Sequence, residues 1–339
     1  MEPRGSTQPG QTPPASSGAP WIRPLLGRAD EARAELWVRC LPPPGADDGD
    51  GPLEAGGTLT GPRCVSAATL PATFHFVDQG HLPGRAPLAR AVCTEPGYWT
   101  PELPCLYDAA VELRRAGRVV AAGTRAVGFR RAGTLGGSIR LDGHRYVPRA
   151  VRSRGDAASL VGLRESCRAA LVDADELTDA SLETADRAGV ALVVACAPAR
   201  DAAAGLLADR LEALAAHPSV LVAILAHDGP DGGAARVAAA LGRRHGSMLL
   251  ALGADGHAPP PPPPPGIDLL VARLAPGATP HEGWRLASRL PLVAHEDAPP
   301  GSPPAVLRAA CDTLQARLAA WSGARPAPTP FDWAGYLVG

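Results

Sequence analysis

From Tyr146 to Val338 the chain repeats one unit: a short apolar run, a turn, then a stretch with helical spacing. The runs fall at 146–151, 169–172, 190–196, 219–226, 248–252, 267–271, 291–294 and 333–338. Most are apolar throughout rather than alternating, the mark of a strand covered on both faces. Such strands pair in parallel when helices separate them. Eight of them in roughly 195 residues predict a minimal (β/α)8 TIM barrel, over residues 132–339 with its lead-in.

Helix boundaries agree with that reading. Gly189 closes one helix as a left-handed C-terminal residue. Asp201 caps another, with Leu207, Leu211 and Leu214 on one face and Pro218 beyond its end. A further helix spans 233–245, and Thr279-Pro280-His281-Glu282 has the form of a capping box. Ser302 and Pro303 open the last helix, in which Leu307, Cys311, Leu314, Leu318 and Trp321 recur on one face. One connection breaks the rule. Asp255-Gly256-His257-Ala258 leads into seven prolines, 259–265, which have no amide donors and predict an extended spacer, or a polyproline segment for a partner to read.

Before Ser138 the period changes. Residues 34–40, 73–77 and 107–113 alternate apolar and polar, with Pro/Gly/Asp clusters between them. That pattern predicts a small β-sandwich over 21–131. Residues 1–20, rich in Pro, Gly, Ser and Gln, are expected to be a disordered tail. Ser138 to Val147 reads as a hairpin turning on Asp142-Gly143 in a type I′ turn.

Composition narrows the chemistry. The chain has 33 basic residues against 34 acidic ones and a pI near 6.8, so no basic surface points to nucleic acid. It contains no Lys and no Asn, which removes Schiff-base and P-loop lysines and glycosylation sequons. No run reaches the length of a membrane span and the N-terminus lacks the apolar core of a secretory signal. Seven cysteines without zinc-like spacing are expected to be reduced thiols in a cytoplasmic protein. No Gly-x-Gly-x-x-Gly follows a strand and no Gly-x-Ser-x-Gly occurs, so no cofactor is implied. The first barrel run has no His-x-His, so no metal is expected.

Two barrel runs end in a histidine and an acid: Ser219 to Ala226 runs into His227-Asp228, and Leu290 to Ala294 into His295-Glu296-Asp297. Barrel chemistry sits at such strand ends. Other stretches are similar to one known family. Tyr98-Trp99-Thr100-Pro101-Glu102-Leu103-Pro104-Cys105-Leu106-Tyr107, Thr124 to Arg130, Leu141-Asp142-Gly143-His144, Arg149-Ala150-Val151, His217-Pro218-Ser219-Val220 and Leu290 to Glu296 together resemble glycoside hydrolase family 2, the β-galactosidase and β-glucuronidase group. The likeness runs from about residue 30 to 339, with no counterpart in this sequence of the family's sugar-binding jelly roll.

The resemblance implies an immunoglobulin-like sandwich ahead of the barrel and retaining hydrolysis of O-glycosides, with Asp228 as acid/base and Glu296 as nucleophile. His227, His295, Arg149 and Trp284 are the candidate contacts to a carbohydrate. Three departures stand beside it. His227 replaces an asparagine, Asp228 is a methylene shorter than glutamate, and Val172 replaces an arginine. Two readings follow: a minimal retaining glycosidase, or a catalytically silent descendant that binds a carbohydrate or a protein. The plainer alternatives are that Asp228 and Glu296 are polar strand ends entering turns, the histidines rim residues, and Trp284 a core residue.

Overall fold

The computed structural model describes residues 21–44, 51–80, 86–197, 204–229, 232–242, 248–285, 290–323 and 332–339. The expected tail at 1–20, the Asp201 cap and positions 243–245 of the expected helix lie outside the described residues.

Seven antiparallel strands come first: β1 (Ile22–Ala29), β2 (Arg33–Cys40), β3 (Leu53–Arg63), β4 (Ala72–Asp78), β5 (Leu88–Thr94), β6 (Leu106–Arg115) and β7 (Arg118–Val127). They are ordered β1-β2-β5-β4-β3-β6-β7. β4 joins two halves, pairing with β3 over Ala72–Phe76 but with β5 only at Val77 and Asp78. The sheet folds over there, and both halves bury one set of alternating residues. Ala34, Leu36, Val38 and Cys40 of β2 meet Tyr107, Ala109, Val111 and Leu113 of β6 in a single core. This is the sandwich the alternation called for.

Three short strands follow: β8 (Ala132–Leu135), β9 (Ser138–Leu141) and β10 (His144–Arg145). The turn between β9 and β10 has φ of 50° at Asp142 and 77° at Gly143, both positive as a type I′ turn demands. Ile139 and Leu141 pack among the lumen residues of the barrel and plug its N-terminal end.

The barrel itself closes from β11 (Arg149–Arg152), β12 (Ala169–Asp173), β13 (Ala191–Ala195), β14 (Val220–Ala226), β15 (Leu249–Asp255), β16 (Leu269–Leu274), β17 (Leu292–Glu296) and β18 (Gly335–Val338). Each strand pairs in parallel with the next, and β18 returns to β11. Alternate residues of these apolar strands serve two cores. Leu171, Val193, Ile224, Ala251, Val271 and Val293 fill the lumen. Val172, Val194, Leu225, Leu252, Leu270 and Ala294 face the helices. Those helices are α1 (Ala157–Leu163), α2 (Asp179–Ala188), α3 (Ala204–Ala215), α4 (Gly233–Leu241) and α5 (Pro304–Gly323).

Two connections lack an α-helix among the described residues. The proline run between β15 and β16 forms neither helix nor strand, in keeping with its missing donors. The capping box at Thr279 leads into a 3₁₀ turn, Glu282–Arg285, and the four residues after it lie outside the described residues. There the His281 amide is drawn to the Gly256 carbonyl and the Trp284 indole to the Ala258 carbonyl, so the segment folds back onto the preceding loop.

Sandwich and barrel meet through the two most distinctive sequence motifs. Trp99 is fully buried and its indole donates to the Asp186 carbonyl at the end of α2 (2.8 Å). The Asp186 carboxylate accepts from Ser219 N at 3.0 Å and Ser219 Oγ at 2.6 Å, and lies 2.7 Å from His217 Nδ1. Arg130 from the sandwich donates to the carbonyls of His217 (2.9 Å) and Pro218 (3.0 Å). Such a buried polar network fixes one mutual orientation of the two domains.

Candidate active site

Strand pleating decides what β17 can offer. In the parallel register His295 lies level with Arg273 and Leu337, and Glu296 level with Leu274 and Val338. Leu337 belongs to the lumen core, whereas Leu274 and Val338 belong to the layer between strands and helices. Successive side chains leave a strand on opposite faces. His295 therefore enters the barrel mouth, and Glu296 points into the helix layer.

The partners of Glu296 agree. Its Oε2 accepts from the Arg317 guanidinium of α5 and from the Gly277 amide (3.1 Å) in the loop after β16. The residue is 9% exposed. Glu296 ties the end of β17 to α5 and to the β16 loop.

Asp228 leaves β14 for the next helix. Its Oδ2 accepts from the Gly233 amide at 2.7 Å, in the first turn of α4. Gly229 follows Asp228 with a positive φ of 111°. A carboxylate on a free helix N-terminal amide is favourable in its own right. Both Asp228 and its neighbour His227 are exposed.

At the mouth the lumen-facing ends of β11, β12, β16 and β17 supply Arg152, Asp173, Arg273 and His295. Arg152 Nη1 donates to Asp173 Oδ1 at 2.8 Å. His295 Nε2 donates to the Gly339 carbonyl at 3.3 Å. Burial holds the His295 imidazole below its ordinary pKa, with Arg273 and Arg152 pushing the same way against the Gly339 hydrogen bond and Asp297. Asp173 and Arg273 are legible only by counting pleats outward from Leu171 and Val271, because neither sits in a recognisable motif.

The other two expected contacts lie elsewhere. Arg149 opens β11, at the opposite end of the barrel from its mouth, and donates to Gln315 of α5 at 2.6 Å. Trp284 has no exposed face, so no sugar ring can stack on it. Its indole donates to Ala258 at 2.9 Å and its rings pack in the helix layer. Among the described residues no three His, Cys, Asp or Glu side chains converge as a metal-ligand set. No helix among them is long and apolar enough to cross a membrane.

No family model matches the chain, and no curated protein matches its sequence. Solved structures do match its fold. The β-glucuronidase of Bacteroides uniformis superposes with a TM-score of 0.62 over 94% of this chain and 45% of that one, at 15% identity. This chain shares the fold of that stretch of the β-glucuronidase. The Parabacteroides merdae β-glucuronidase gives 0.61 at 12% identity, with 94% and 46% of the two chains covered. The FMN-binding β-glucuronidase of Facaelibacterium prausnitzii L2-6 gives 0.62 at 12% identity, with 94% and 55% covered. The chain thus spans about half the length of the solved structures it matches. At these identities the likeness establishes the fold alone.

Proposed function

We propose that this chain is a non-hydrolytic descendant of glycoside hydrolase family 2 that holds a carbohydrate at the barrel mouth without cleaving it. One observation carries the reading: the two acids at the expected catalytic positions are both committed to structural partners. Retaining hydrolysis places two carboxyls about 5–5.5 Å apart across the scissile bond, one to attack and one to protonate. Glu296 turns instead to Arg317 and Gly277, away from the lumen, and Asp228 to an amide of α4.

The mouth is suited to binding. Arg152 paired with Asp173, together with Arg273 and a neutral His295, presents donors and acceptors for sugar hydroxyls and no free carboxylate pair. The β-glucuronidase fold makes a carbohydrate the natural ligand class. A panel of α- and β-linked aryl glycosides tests catalysis, because their leaving groups need no protonation. Calorimetric titration with monosaccharides and oligosaccharides tests binding. The reading requires no turnover, together with saturable binding that Arg152→Ala weakens. Turnover by the wild-type protein, or wild-type affinity in Arg152→Ala, overturns it.

A further inference from the structure

Two of the seven cysteines, Cys64 and Cys105, flank the paired ends of two sandwich strands. β3 and β6 run antiparallel, and their last pair is Arg63 with Leu106. Continuing that register by one step sets Cys64 opposite Cys105. Directly opposed residues in an antiparallel pair have Cα atoms roughly 4.5–5.5 Å apart, inside the range a disulfide spans. Cys64 is among the groups that act on the Cys105 thiol. Cys64 is part-exposed while Cys105 is buried.

The surroundings give the pair consequence. The segment after Cys64 reaches the barrel, where Arg164 donates to Ser66 Oγ at 2.6 Å. The segment before Cys105 carries Trp99, which is anchored on Asp186 of α2. Both cysteines therefore stand at the root of a loop that holds sandwich and barrel together.

We propose that Cys64 and Cys105 are a thiol–disulfide modification site that staples these two loops when the protein meets a small-molecule disulfide. The accessible Cys64 thiolate attacks the small-molecule disulfide, breaking its S–S bond and releasing one thiol. The Cys105 thiolate then attacks Cys64 Sγ in the mixed disulfide and expels the second thiol. Two protein thiols are oxidised and one disulfide is reduced to two thiols. Burial, and then the neighbouring Cys64 thiol, push the Cys105 pKa up to about 11, so the closing step quickens as pH rises.

The test treats the full chain with oxidised glutathione and maps its peptides by mass. The expected result is a 64–105 cross-link, lost in Cys64→Ser and in Cys105→Ser but kept in Cys93→Ser and Cys167→Ser. The staple closes a loop of about 40 residues and raises the melting temperature of the oxidised protein by about 5 °C, a shift that Cys64→Ser removes. Seven thiols still titrating after treatment, a glutathione adduct that stops at Cys64, or a cross-link through Cys167 overturns the proposal.

Discussion

His295 and Glu296, neighbours on β17, leave the barrel wall in opposite directions, the histidine into the lumen beside Leu337 and the glutamate toward Arg317 of α5. One pleat separates a residue able to meet a ligand from one that fastens a helix.

The fastening has a measurable stability. Arg317→Ala leaves a nearly buried Glu296 charge without its cation and is expected to cost about 2–3 kcal/mol, below the range for a fully buried pair because Arg317 keeps some exposure. Glu296→Gln retains an acceptor for the Gly277 amide and should cost about half as much. Urea unfolding of both single variants and the double variant checks this. Strict additivity in that cycle shows the two side chains to be uncoupled.

Asp186 carries more. It accepts from Ser219 twice and pairs with His217, all of them buried. Asp186→Ala is expected to cost about 3–5 kcal/mol and to separate the unfolding of sandwich and barrel. A single, unshifted thermal transition in that variant contradicts the assignment of this network as the domain joint.

Trp284→Ala removes a fully buried indole and is expected to cost about 3–5 kcal/mol, leaving the affinity of any ligand at the mouth unchanged. A variant of wild-type stability that loses ligand binding restores Trp284 as a sugar contact.

These contrasts show what the sequence makes legible. Fully apolar runs announce strands covered on both faces, so the eight barrel strands can be read directly, and Asp142-Gly143 announces its turn. Which face each strand end presents cannot be read that way. In a run apolar on both sides, residues such as Ala294 carry no inside/outside signal, and the alternation reaching His295 and Glu296 emerges only once neighbouring strands fix the register. Asp228 was legible as a strand-end acid but not as an α4 partner, because the intervening Gly229-Pro230 hides where the chain turns.

His295 makes stability depend on pH. Burial lowers its folded pKa below the ordinary value of about 6.5, so the unfolded chain binds the proton more readily. Stability is therefore full above about pH 6.5 and falls as pH drops through the folded pKa. His295→Gln is expected to flatten the fall of the melting temperature below about pH 6.5 relative to wild type. An identical slope in both proteins assigns the acid sensitivity to other groups.

The most direct measurement is turnover of aryl β-glucuronides and β-galactosides by the wild-type protein and by Glu296→Gln. With Glu296 turned to Arg317, neither protein is expected to release the aryl group above the uncatalysed rate, and the substitution should register only as lost stability. Release by the wild-type protein that Glu296→Gln abolishes would contradict this account and return the glutamate to the lumen as a nucleophile.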